Sequence, residues 1–159
     1  MAEEKIPDIM KNASGFPQLF LRIALGIGFI LPVMDRLGLL GSPGTAGVSW
    51  GDWKHFVDYT NTLMPYLNNR LAGIMAAVAT AAEFVFGICL ILGIKIKQIA
   101  RGAAILTACF GLSMAIFLGV GAPFNYPVFV FTGAAWVLSG IGEYKWSIDG
   151  FFENNSHTG

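Results

Sequence analysis

Glu83 lies inside the apolar run from Leu71 to Ile94, and Arg22 inside the apolar run from Phe16 to Met34. Ionisable side chains are expensive in hydrocarbon, so a carboxylate or guanidinium in such a run marks either a working site or a locked pair. As a working site, Glu83 is a proton acceptor with Arg22 as its charge partner, which suits an exogenous carrier, such as a quinone, that consumes protons when reduced. As a lock, the same two residues fix helices against each other and do no chemistry. Their spacing does not separate the two readings.

Helical geometry says what surrounds them. Glu83 shares a face with Ala72, Ala76, Ala79, Thr80 and Gly87, a stripe of small residues over which other helices approach closely. Arg22 shares a face with Gln18 and Gly26. A rise of ~1.5 Å per residue puts Glu83 and Trp136 at a similar depth of roughly 15 Å, with Arg22 about a turn shallower. An Arg22–Glu83 pair must therefore stretch, and Arg22 has the alternative of turning its head toward the lipid headgroups. Trp136 offers an indole donor, and Gly26 and Thr80 complete the interior cluster of candidate ligand contacts. Asn125 and Tyr126 stand at the outer mouth, where they either line an entrance or cap a helix.

The residues that are missing narrow the chemistry. The two histidines, His55 and His157, fall outside the apolar runs, so no pair of intramembrane haem ligands and no metal-ligand cluster is expected. Cys89 and Cys109 are far apart in sequence and differ in depth by about 7 Å along antiparallel helices, which disfavours a direct disulfide. Ten basic residues balance ten acidic ones, so no basic excess points to nucleic acid. Electron transfer here needs a quinone or a redox centre on a partner protein, and no cofactor is intrinsic.

The elements that position these groups are set by the solvent. The chain is 55% hydrophobic and 13% charged, with a mean hydropathy of +0.62, which is the balance of a bilayer protein. Four runs approach the ~20 residues a helical span requires, at about 16–34, 71–94, 99–120 and 123–141, the last being the shortest and starting at Pro123 or at Pro127, because Pro123-Phe-Asn-Tyr-Pro127 breaks the chain just before it. Short links make neighbours antiparallel, so the expected fold is all-α: one domain over 1–159, an integral membrane four-helix bundle running up-down-up-down. The start lacks the basic opening of a cleaved signal, so the first run is expected to remain as a span. Lys95, Lys97 and Arg101 place the second link on the cytoplasmic side, and with it both chain ends. Between the first two spans, Ser49-Trp-Gly-Asp52 reads as a capping box before a short amphipathic helix on the outer surface. Its face bearing Asp52, Trp53 and His55 is either a partner-facing surface or the outside of a packing lid.

Three segments give the chain a family likeness. Leu21-Arg22-Ile-Ala-Leu-Gly26-Ile-Gly-Phe, Ala82-Glu83-Phe-Val-Phe-Gly87-Ile-Cys-Leu-Ile-Leu-Gly93 and the ending Trp146-Ser-Ile-Asp149 resemble the DoxX family of small four-span membrane proteins, over nearly the whole chain. The resemblance implies a redox-associated subunit of the bacterial inner membrane, since the family includes the membrane component of thiosulfate:quinone oxidoreductase. Two other readings stay open. One is a non-catalytic subunit that anchors partner proteins; the other is a small-molecule or lipid carrier, for which a homo-oligomer would supply the missing room.

The orientation is directly testable. Impermeant thiol reagents applied from outside should label a cysteine introduced at Thr45 and spare one at Gln98, and the reverse pattern would overturn the assignment.

Overall fold

The computed structural model describes residues 15–151, and among them every regular element is a helix. The elements are α1 (Gly15–Arg36), α2 (Trp53–Leu63), α3 (Asn69–Leu92), α4 (Ile96–Phe117), α5 (Ala122–Asn125) and α6 (Val128–Ser139). Helices α1, α3 and α4, of 22, 24 and 22 residues, are long and apolar enough to cross a membrane. They match the first three expected spans to within three residues at every boundary.

The fourth run begins at the later of its two expected starts, after Pro127: a four-residue turn, α5, precedes the 12-residue α6. The break falls at Tyr126 and Pro127: Tyr126 is extended, as a residue before proline prefers, and Pro127 has no N–H to continue the ladder. At ~1.5 Å per residue α6 covers about 18 Å, less than the hydrocarbon thickness of a bilayer.

Glycines let the helices meet. A β-carbon on Gly26 would come within 2.6 Å of Ile91, and one on Gly87 within 2.8 Å of Ile30, so α1 and α3 cross backbone to backbone. Gly26 is thus a helix contact, not the ligand contact expected of it. Gly111 receives the Phe129 ring, and Thr132 donates to Thr107 at 2.9 Å, which joins α4 to α6. Leu25, Phe29, Leu90, Ile96, Ala100, Ala104, Ala135 and Leu138 fill the core between these pairs.

The end of the bundle where α3 turns into α4, called here the inner end, is closed by polar groups. Gly93, at φ +75°, caps α3 in the left-handed conformation. Asp149 then accepts from the N–H groups of Lys95 and Ile96 at 2.8 and 2.9 Å, capping α4 from the far end of the chain. Arg22 belongs to this closure: its Nη2 donates to the Trp146 carbonyl at 2.7 Å. Replacing Asp149 by Ala should therefore cost about 1 kcal/mol, the usual loss of a helix cap, and lower the thermal midpoint by ~2–4 °C. An unchanged midpoint would contradict the capping role.

Candidate functional site

The partner of Glu83 is Arg36. Arg36 is the last residue of α1, and its Nη1 donates to Glu83 Oε2 at 2.5 Å and to Thr80 Oγ1 at 3.0 Å. Glu83 is 4% exposed and Arg36 3%. The expected Arg22–Glu83 pair does not form, and helix geometry explains why. Arg22 sits level with Gly93, ten residues, or about 15 Å, below Glu83 on α3. Arg36 lies about 21 Å above Arg22 on α1, and its long side chain leans back toward the helix N-terminus, which closes the remaining gap.

A folded loop covers the pair. Asp35, the residue before Arg36, accepts from the backbone N–H groups of Ser49 and Gly51, both at 2.8 Å, and more weakly from that of Trp50. This returns residues 37–52 over the end of α1. Gly51, at φ +72°, leaves no room for a β-carbon beside Pro43. The loop brings the Trp50 ring to 5.0 Å from the Arg36 guanidinium, and α2 brings the Phe56 ring to 3.8 Å, so the cation is faced by two π systems. Trp50 and Phe56 meet edge to face.

Helix α2 begins where Asp52 caps it, accepting from the His55 N–H at 2.8 Å. That hydrogen bond, with the His55 ring beside it, holds the Asp52 carboxyl below the usual carboxylate range. Phe56, Thr60 and Leu63 form the buried face of α2. The helix is therefore packed into the outer half of the bundle rather than resting on it. Burial pushes the Tyr59 phenol up, so Tyr59 keeps its proton at neutral pH and remains a hydrogen-bond donor.

Beneath this roof lies a cavity of about 860 Å³ with mostly apolar walls, reached by Arg36, Glu83, Trp50, Phe56 and Tyr59. His55 and Tyr126 also line it. The remaining sequence candidates lie elsewhere. Trp136 is 62% exposed on α6, whose buried residues are Ala135, Leu138 and Ser139. Asn125 ends α5, Asp52 caps α2, and Trp53 is half-exposed beside Phe56. None of these three borders the cavity. Among the described residues no group of three or more His, Cys, Asp and Glu side chains is placed to hold a metal ion.

Chemically, the site offers a fixed cation and a carboxylate side by side in a low-dielectric pocket. The Arg36 Nε is buried and has no acceptor. A guanidinium so placed recognises a carbonyl or anionic oxygen, and the adjacent carboxylate can exchange a proton with it. Arg36, Asp35, Trp50 and Phe56 were absent from the sequence candidates. The Asp35-Arg36 pair directly after an apolar run was the available signal, since it ends a helix with charges of both signs. Comparison with family models, with curated proteins and with solved structures finds no match to this chain.

Removing one partner of a buried pair strands the other, so Glu83→Leu should lower stability by roughly 3–5 kcal/mol. Adding Arg36→Met to that variant should restore most of the loss, because two apolar side chains suit the site better than one unpaired cation. Thermal unfolding of the three proteins in one detergent checks this. Equal midpoints for Glu83→Leu and the parent would contradict the pairing.

Proposed function

We propose that the chain is a DoxX-like, four-span protein of the bacterial inner membrane, with both ends cytoplasmic, and that it serves as a redox-associated subunit linked to the quinone pool. The observation that carries this reading is the buried Arg36–Glu83 pair at the wall of an apolar cavity roofed by Trp50 and Phe56. A quinone head fits those groups by chemistry. Its carbonyl oxygen accepts from a guanidinium, its flat ring lies against aromatic side chains, and its reduction takes up two electrons and two protons. Glu83, in its protonated form, gives one proton to the carbonyl oxygen that Arg36 orients and is then reprotonated from water, the second proton reaches the other carbonyl oxygen from water, and both electrons arrive from a redox partner protein. Arg36 thus takes the part first given to Arg22, which closes the inner end of the bundle.

The topology belongs to the same reading. Helices α1, α3 and α4 supply three crossings, and α5 with α6 and the residues that follow supply the fourth, broken at Pro127. Lipid surrounds the exposed apolar faces, and the outer segment carrying Asp52, Trp53 and His55 is the surface offered to a donor protein or to a second copy of the chain.

Glu83→Gln keeps the volume and much of the hydrogen bonding but removes the titratable proton. In membranes that contain the partner proteins it should leave the fold nearly intact and abolish quinone-dependent electron transfer. Undiminished transfer in a folded Glu83→Gln protein would defeat the relay and favour a subunit that only anchors its partners.

A further inference from the structure

The cavity is not closed on all sides, and exposed side chains of α3 and α4 border it. Near the inner end, α3 and α4 are in contact where the Phe86 ring lies against Gly102, whose β-carbon would fall 2.8 Å from it. At the outer end the rings of Tyr66 and Phe117 meet at 6.0 Å. Between the levels of these two contacts the cavity is lined by Met75, Val78 and Ala82 on α3 and by Cys109, Phe110 and Ser113 on α4. Val78 is 58% exposed and Cys109 is exposed as well, yet both border the same space as Glu83. On the opposite side the Phe131 ring is seated on Gly28 and meets Phe29 edge to face, which brings α6 against α1.

We infer that the ligand of this site carries a long hydrocarbon tail and reaches Arg36 sideways from the bilayer, through the cleft between α3 and α4. The oxygen-bearing head sits at the Arg36–Glu83 pair, and the tail stays in the cleft past Val78 and Cys109. The inference rests on the quinone reading and narrows it to quinones with a long alkyl or isoprenoid chain. Two features of the cleft support it. Its lips are mainly apolar side chains and a thiol, with the Ser113 hydroxyl among them, a surface that hydrocarbon solvates better than water does. The charged groups that would hold a polar head, Arg36 and Glu83, are buried while Val78 and Cys109 at the lips are exposed, so an amphipathic molecule is oriented as it enters.

The full chain in phospholipid nanodiscs carries a natural reporter of the tail, Cys109. A reporter for the head is added by Ser49→Cys, an exposed roof position that lines the cavity and whose backbone N–H to Asp35 is kept. Alkylation of both thiols by N-ethylmaleimide is followed by mass spectrometry with a decyl-benzoquinone whose other ring positions are all substituted, so that it cannot add to thiols, with the analogue carrying methyl in place of decyl, or with neither. At ten times its Kd the tailed quinone should slow both thiols about tenfold, and the tail-less one should slow only the thiol introduced at Ser49. Protection at Ser49 without protection at Cys109 by the tailed quinone would overturn the lateral route while leaving quinone binding intact. Protection at neither site would overturn the quinone reading, and this inference with it.

Discussion

A guanidinium and a carboxylate held together away from water require a fold that shields them from every direction, and the outer half of this molecule is arranged to do so. The attraction between Arg36 and Glu83 is large in a low-dielectric setting, but so is the penalty for taking both charges out of water. The pair persists because Thr80 accepts a further hydrogen bond and because Trp50 and Phe56 turn their π faces to the cation. Asp35 extends that shielding. Its carboxylate is bound to three consecutive backbone N–H groups, a strong anchor for a loop that has no regular structure of its own. The roof and the pair are therefore one unit: the loop covers the charges, and a charge beside them holds the loop.

The two ends of the bundle make opposite use of charge. At the inner end Arg22 and Asp149 bind backbone groups at the chain's own turns, at Trp146 and at the start of α4. Every polar contact there tightens a connection, and the core beside it is filled by Leu, Ile, Ala and Phe. At the other end the small residues Ala79 and Ala82 border the cavity and leave volume that larger side chains would fill. A filled half of the bundle thus supports a hollow one, which is how a small bundle can hold a site in place.

Much of the scaffold could be read from residue types alone. Three long apolar runs give three helices, the small-residue face of α3 is buried together with Glu83, and the basic turn before α4 is where short links require it. What could not be read were features fixed by tertiary contact. Arg36 lies past the last apolar residue of its run, and only the return of residues 37–52 makes its position interior. Arg22, by contrast, lies within the run but at the level of a polar turn. Sequence depth ranks these two arginines in the wrong order, because depth in the bundle is set by what folds over a helix end and not by hydropathy.

The central claim is that a quinone head occupies the space between the Arg36–Glu83 pair and the aromatic roof. Photolysis of an azidoquinone in membranes containing the protein, followed by mass-spectrometric mapping of the adduct, examines it without reliance on activity. The account predicts labelling confined to residues that line the cavity, in the segments carrying Trp50, Phe56 and Glu83, and competed away by unlabelled quinone. Adducts spread over the lipid-facing side chains, such as Trp136 and Val130, and indifferent to competitor would contradict it.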